Sequence, residues 1–191
     1  MEHLHGKREN STLLFVDDEE SFLNSIRREM IDESYHCFFA DNGAKALQIM
    51  EVESISVLVT DLKMPQMSGL ELLEIVQKRF PDTVRIILTG HSDLSSLISA
   101  INSGQVYRYL TKPWKRDEEF LPAIRQAIEY YHIRRERQML MNQLQEKNRI
   151  LHEQNLKLTE LSTRDGLTGV FNHRYFQDEV NRQFAISKRN K

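Results

Sequence analysis

The segment Ser56-Val-Leu-Val-Thr60, followed at once by Asp61, shows the pattern on which the first half of the chain is built. Its apolar and β-branched residues are typical of a short strand buried on both faces. Four similar runs occur, at 13–16, 35–40, 84–89 and 106–110. Helical patterns alternate with them, at about 19–32, 43–52, 69–79 and 93–102. Because buried strands joined by helices form a parallel sheet with right-handed crossovers, the sequence predicts a doubly wound α/β domain with five parallel strands.

Composition disfavours several classes of protein. The net charge of -2, with no Lys/Arg block in the first 110 residues, argues against a nucleic-acid partner. A single cysteine, Cys37, excludes a disulfide framework and a cysteine-based zinc site. The sequence has neither a signal peptide nor an apolar stretch long enough to span a bilayer, so we expect a cytoplasmic protein with no membrane partner. Residues 1–10 are expected to form a flexible lead.

Polar side chains lie at the carboxyl ends of four of the predicted strands. Asp17 and Asp18 follow the first strand, Asp61 follows the third, Thr89 closes the fourth, and Lys112 lies just past the fifth. Taken singly, these residues could be a helix cap, a strand threonine and a surface lysine. Because the carboxyl ends of parallel strands share one edge, where doubly wound domains bind ligands, we expect the five side chains to surround one site.

The predicted site is suited to a metal ion and a phosphoryl group. Three neighbouring carboxylates raise one another's pKa unless a cation compensates, and Mg²⁺ prefers such oxygen ligands. With Mg²⁺ and Lys112 supplying positive charge and Thr89 donating a hydrogen bond, Asp61 is placed to attack phosphorus and form an aspartyl phosphate. A structural cation site without chemistry is the alternative.

Four motifs resemble those of two-component response-regulator receiver domains: Val16-Asp-Asp-Glu19, Thr60-Asp-Leu-Lys-Met-Pro-Gln-Met-Ser-Gly69, Leu88-Thr-Gly90 and Tyr109-Leu-Thr-Lys-Pro-Trp114. The resemblance covers about residues 11–130. It implies a flavodoxin-like fold in which Asp61 accepts a phosphoryl group from a histidine kinase. Apart from this self-phosphorylation, it implies no enzymatic activity for the chain.

The resemblance also implies roles for individual residues. Asp18, Asp61 and the backbone carbonyl of Lys63 would bind Mg²⁺ directly, with Asp17 acting mainly through water. Thr89 and Tyr109 would form the switch pair, although from the residues alone Tyr109 could equally be a half-buried edge aromatic. The Lys112-Pro113 bond would be cis. Gly90 stands where many receivers carry alanine, which suggests a looser switching equilibrium.

A long helix is predicted from about residue 117 to 162, where the sequence is polar, rich in leucine and free of glycine. Because Pro122 lacks a backbone donor, the helix should begin or bend near it. A heptad seam occupies this helix, with the following residues at its two positions: Met141, Leu144, Asn148, Leu151, Asn155 and Leu158. We expect a parallel two-stranded coiled coil over 131–162, continuous with the receiver's last helix, and hence a homodimer. A lone solvated helix is the alternative, because the seam is only about three heptads long.

The last part of the chain, 163–191, contains Asp165-Gly-Leu-Thr-Gly-Val-Phe-Asn-His-Arg-Tyr-Phe176, which resembles the opening of GGDEF-type diguanylate cyclase domains, D-x-L-T-G-L-x-N-R-R-x-F. Val170 and His173 depart from that pattern. The Gly-Gly-(Asp/Glu)-Glu-Phe signature is absent from the 191 residues. We therefore expect a fragment whose cyclase part lies elsewhere, and a segment 163–191 that is mobile or self-associating because apolar residues such as Phe171, Phe176 and Phe184 lack partners.

The leading hypothesis is a phosphorylation-controlled dimerisation switch. In it, phosphorylated Asp61 alters the face formed by the predicted helix 93–102, the fifth strand and the start of the long helix. The coiled coil transmits the change to a cyclase that makes cyclic di-GMP. A different or degenerate output enzyme and a phosphorylation-independent dimeric adaptor are the alternatives, and a DNA-binding output is the least favoured.

Overall fold

The computed structural model describes residues 11–90, 106–166 and 168–189. Its sheet has five strands in the order β2-β1-β3-β4-β5, and every pair is parallel. The strands are β1 (Thr12–Val16), β2 (His36–Ala40), β3 (Val57–Asp61), β4 (Val84–Thr89) and β5 (Arg108–Thr111). This arrangement confirms the predicted doubly wound fold.

Three helices connect the strands within the described part of the chain: α1 (Glu20–Glu29), α2 (Gly43–Val52) and α3 (Gly69–Arg79). α2 and α3 have the predicted bounds. α1 ends earlier than the expected residue 32, because the chain turns after Met30 with a hydrogen bond from the Glu33 amide to the Met30 carbonyl. The helix expected at 93–102 lies outside the described residues.

The long helix, α4 (Leu121–Thr163), follows a π-helical turn at Arg116–Phe120. Pro122 is its second residue, a position where a missing backbone donor costs little, which confirms that the helix begins near this proline. The last helix is α5 (His173–Arg189). None of the described helices is both long enough and apolar enough to cross a bilayer.

The chain divides into two compact units, Met1–Arg137 and Gln138–Lys191. In the first unit each face of the sheet buries its own core, because successive residues of a strand point to opposite faces. Leu13 and Phe15 pack with α1 and residues 120–131, whereas Leu14 and Val16 pack with α2 and α3. Both faces are therefore covered, and the polar residues that follow the strands are left at the edge.

In the second unit the predicted seam is a stripe of exposed apolar side chains. Leu144, Leu151 and Leu158 are 57%, 55% and 62% exposed in the single chain, and Met141 is 48% exposed. Asn148 and Asn155, which belong to the same predicted seam, are exposed as well. The coiled coil stays a prediction.

Residues 163–166 and 168–173 form a hydrogen-bonded turn between α4 and α5. The Asp165 carboxylate accepts hydrogen bonds from the Thr168 amide and hydroxyl at 3.0 and 2.9 Å. The Asn172 side chain donates to the Ser162 carbonyl at 2.5 Å and accepts from the Tyr175 amide at 2.9 Å. The turn is thus held by its own polar side chains. The expected mobility of 163–191 stays a prediction, and the Phe184 side chain lies outside the described part of the chain.

This turn and the first part of α5 leave apolar side chains on the surface. Val170, Phe171 and Phe176 are 61%, 54% and 63% exposed. Phe171 stacks on Tyr175 with ring centroids 4.7 Å apart. The expectation that the apolar residues of 163–191 lack partners stays a prediction.

Gly69 makes a contact on which the end of β3 depends. A Cβ atom at this position would lie 2.0 Å from the backbone oxygen of Asp61, so a side chain here must displace backbone. Gly43 is also the first residue of a helix, but its Cβ would meet the flexible side chain of Met67.

We expect Gly69→Ala to lower the free energy of unfolding by about 2 to 3 kcal/mol and Gly43→Ala by under about 1 kcal/mol, measured by urea denaturation. Equal losses in the two variants would contradict the tight packing of Gly69 against Asp61.

Candidate phosphoryl-acceptor site

Three of the five predicted site residues meet at the carboxyl edge of the sheet. Asp17 follows β1 and Asp61 ends β3, which are neighbouring strands. Lys112 follows β5, and its backbone amide donates to the Thr89 carbonyl at 2.8 Å, which fixes it beside the end of β4. The sheet topology thus brings together residues that are far apart in the sequence.

The ammonium of Lys112 lies between two carboxylates. Its Nζ donates to Asp17 Oδ2 at 2.7 Å and lies 2.5 Å from Asp61 Oδ1. The second oxygen of each carboxylate accepts a backbone hydrogen bond, Asp17 Oδ1 from the Glu19 amide at 2.9 Å and Asp61 Oδ2 from the Lys63 amide at 2.8 Å. Both carboxylates are therefore held in fixed orientations.

Burial strengthens these interactions. Asp17 is only 1% exposed and Asp61 is 9% exposed. Burial raises the pKa of Asp17, while the hydrogen bond and charge of Lys112 act in the opposite direction. Burial also disfavours the charged form of Lys112, but the two carboxylates outweigh it and raise the pKa of the lysine. Lys112 consequently carries a positive charge at neutral pH.

The other predicted residues, Asp18, Thr89 and Tyr109, differ in their environments. Asp18 is exposed, in contrast to the neighbouring Asp17. Thr89 is 1% exposed, and its hydroxyl donates to the Gly90 carbonyl at 3.1 Å. Tyr109 is 41% exposed and lines a groove of about 500 Å³ together with residues of β5 and the start of α4. The Lys112-Pro113 bond is cis, as the resemblance implied.

The donor atoms of the site are of the chemical type that binds a hard divalent ion. Carboxylate oxygens of Asp18 and Asp61 and the Lys63 carbonyl are the ligand types that Mg²⁺ prefers, and each carboxylate oxygen has more than one lone pair. Among residues 11–90, 106–166 and 168–189, however, no three His, Cys, Asp or Glu side chains are grouped closely enough to hold a metal by themselves. The Lys112 ammonium supplies the positive charge between Asp17 and Asp61. Magnesium binding stays a prediction.

Sequence reasoning missed Phe22, whose ring centroid lies 3.9 Å from Lys112 Nζ. An aromatic residue within a helical pattern is normally part of the core, so nothing in the sequence distinguished it. It also left unused the Ser68-Gly-Leu-Glu71 capping box at the start of α3, which was readable from its spacing. This box fixes the helix that carries Gly69 against Asp61.

Comparison with known proteins agrees with this geometry. Residues 13–125 match the response regulator receiver domain. The hydrogenase transcriptional regulatory protein HoxA of Cupriavidus necator is 33% identical over 119 residues, which are 62% of this chain and 24% of that protein. The DNA-binding transcriptional regulator NtrC of Escherichia coli is 35% identical over 116 residues, which are 61% of this chain and 24% of that protein. The chain spans about a quarter of the length of these curated relatives.

A solved structure of the adenylate cyclase from Rhodopirellula baltica superposes with a TM-score of 0.66 at 31% identity, covering 70% of this chain and 98% of that one. The family match, the parallel five-stranded sheet and the Asp17, Asp61 and Lys112 trio all concern the same part of the molecule. Through residues 13–125, the chain belongs to the response regulator receiver domain family.

Proposed function

We propose that Asp61 accepts a phosphoryl group from a histidine kinase and that α4 transmits the phosphorylation state to an output domain. The observation that carries the proposal is the Lys112 ammonium, 2.5 Å from an Asp61 oxygen and 2.7 Å from buried Asp17. A carboxylate held in this way is oriented for attack, and a cation already lies where charge collects on the transferring phosphoryl oxygens. Receiver domains as a family receive phosphoryl groups, which supports the same assignment for this chain.

The transfer forms a bond between an Asp61 oxygen and phosphorus and breaks the bond between phosphorus and a histidine nitrogen of the kinase. The leaving imidazole takes up a proton, and an acyl phosphate remains on Asp61. Lys112 moves its hydrogen bond from Asp61 to a phosphoryl oxygen while it retains Asp17. Asp18, Asp61 and the Lys63 carbonyl would hold Mg²⁺, with Asp17 alongside, and bound Mg²⁺ supplies further positive charge to the phosphoryl oxygens.

Thr89 and Tyr109 are proposed to change conformation in response to the charge of the phosphoryl group on Asp61. The Thr89 hydroxyl, now bonded to Gly90, would turn to donate to a phosphoryl oxygen. Tyr109, at 41% exposure, would then turn inward behind it and change the groove beside α4. This movement offers a route from the site to the start of the long helix.

We expect acetyl phosphate to phosphorylate the wild-type chain when Mg²⁺ is present, and Asp61→Asn to take up no phosphoryl group because the amide is not nucleophilic. Asp82→Asn is the matched control, since Asp82 is an exposed aspartate away from the carboxyl edge. Intact-mass spectrometry measures the uptake. Phosphorylation of Asp61→Asn to the wild-type level would contradict the assignment.

The coiled coil is proposed to join two copies through the seam Leu144, Leu151 and Leu158. Isolated exposed leucines are ordinary, but three at a spacing of seven residues on one helix form a continuous apolar stripe. Asn148 and Asn155 lie between them and would fix the register, since their amides pair across the axis in one alignment. Their replacement by leucine is expected to scramble the register or the number of chains.

Leu151→Lys should weaken self-association at least about tenfold, because each chain then loses a buried leucine and gains a charge in the seam. Leu156→Lys is the matched control, because Leu156 and Leu151 are both 55% exposed and Leu156 lies off the seam. Light scattering over a range of concentrations gives the dimer fraction. Equal effects of the two substitutions would show that the seam lies elsewhere or that the helix is solitary.

The output domain is proposed to be a diguanylate cyclase of the GGDEF type. Three residues of the GGDEF-like motif stabilise the turn after α4 through side-chain hydrogen bonds: Asp165, Thr168 and Asn172. These bonds support the proposal that the motif residues form one structural unit. A DNA-binding output is the second candidate, favoured by the name of the relative NtrC, a DNA-binding transcriptional regulator. A Gly-Gly-(Asp/Glu)-Glu-Phe signature in the coding sequence after Lys191 would support the cyclase, and a DNA-binding domain there would contradict it.

A further inference from the structure

The ammonium of Lys112 has an aromatic neighbour in addition to its two carboxylates. Nζ lies 3.9 Å from the centroid of the Phe22 ring, 2.7 Å from Asp17 Oδ2 and 2.5 Å from Asp61 Oδ1. The side chain of Lys112 is 24% exposed, so the contact is partly shielded from water. An ammonium over a ring face is attracted by the negative potential of the ring, and shielding increases that attraction.

Phe22 is itself held in place by the segment that follows the lysine. Its ring meets Trp114 edge to face, with centroids 5.2 Å apart and an interplanar angle of 80°. The Trp114 indole N–H donates to Glu29 Oε2 at 3.1 Å, and the Arg116 guanidinium donates to the Glu29 carbonyl at 2.9 Å. α1 therefore contacts residues 112, 114 and 116, and the ring cannot shift without disturbing this packing.

The ring and the carboxylates act differently during phosphorylation. When Asp61 becomes an acyl phosphate, one of the two oxygens that hold Lys112 changes its charge and position. The ring of Phe22 keeps its charge distribution throughout. Because a lysine side chain is long and flexible, a neighbour that does not change during the reaction limits the positions that the ammonium can take.

We propose that Phe22 is a positioning residue for phosphoryl transfer, holding the Lys112 ammonium over its ring face so that it remains directed at the acceptor oxygen of Asp61. The proposal rests on the proposed function of Asp61. It assigns the effect to the electrostatic potential of the ring and distinguishes it from the volume that the ring fills.

Phe39 provides a matched control for the packing role of a phenylalanine. Both residues are half-buried and pack against the same core cluster. Both also carry a cation over the ring, since Arg27 Cζ lies 3.9 Å from the Phe39 centroid, the same distance as Lys112 Nζ from Phe22. Only Phe22 touches the lysine of the site, so a loss specific to Phe22 cannot be attributed to the general loss of a ring.

The test measures the rate constant for phosphorylation of the 191-residue chain by acetyl phosphate in Mg²⁺, and separately the dissociation constant of beryllofluoride. We expect Phe22→Leu to slow phosphorylation and weaken beryllofluoride binding, each about tenfold, as expected for the loss of a partly desolvated cation–π contact. Phe22→Tyr, which keeps the ring face, should stay within about twofold of wild type, as should Phe39→Leu.

A shape-preserving replacement keeps the test decisive if Phe22→Leu does not fold. Pentafluorophenylalanine at position 22 retains the ring but removes the negative potential of its face, so it should slow phosphorylation about as much as leucine. Wild-type rates with this residue, or equal losses in Phe22→Leu and Phe39→Leu, would overturn the proposal while leaving the function of Asp61 intact. A wild-type chain that takes no phosphoryl group would instead overturn the proposed function, and this inference with it.

Discussion

The structure of the first unit depends on one lysine ammonium shared by two buried carboxylates. Asp17 is 1% exposed, and a carboxylate so far from water is costly unless a cation and hydrogen bonds compensate for its lost hydration. Lys112 compensates from 95 residues away in the sequence. The same ammonium also contacts Asp61, so the ends of β1, β3 and β5 are tied to one charge. Removing the lysine would leave two carboxylates facing each other without a counter-charge.

The parallel sheet makes this arrangement achievable with few residues. In a parallel sheet the carboxyl ends of all strands lie at one edge. The first polar residue after each strand therefore lies at that same edge. The apolar strands then do the positioning, since each is locked by cores on both faces. The aromatic neighbours add a further constraint, because Phe22 contacts the lysine and Trp114 stacks on Phe120 with centroids 5.0 Å apart. Aromatic packing thus continues from the charged site to Phe120, the residue before the start of α4.

Much of this organisation could be predicted from the sequence because periodicity and topology determine it. The strand ending at Asp61 and the helices at 43–52 and 69–79 follow from apolar spacing, and the meeting of Asp17, Asp61 and Lys112 follows from the shared carboxyl edge of parallel strands. The early end of α1 could not be predicted, because the residues that form the turn after Met30 have no distinctive amino-acid composition. The contact of Phe22 with Lys112 was hidden for a different reason: a ring that touches a lysine and a ring that only fills a core look alike in sequence. The proposed partner of the α4 stripe could not be predicted either, because a heptad pattern does not specify which helix packs against it.

The most direct test of the account is to locate the phosphoryl group chemically. Sodium borohydride reduces an aspartyl phosphate to homoserine, so peptide mapping after treatment with acetyl phosphate, Mg²⁺ and borohydride identifies the modified residue. The account predicts homoserine at position 61 and unmodified aspartate at positions 17 and 18. Homoserine at either of those two positions, or at none, would contradict the claim that the Lys112-bound carboxylate of Asp61 is the acceptor.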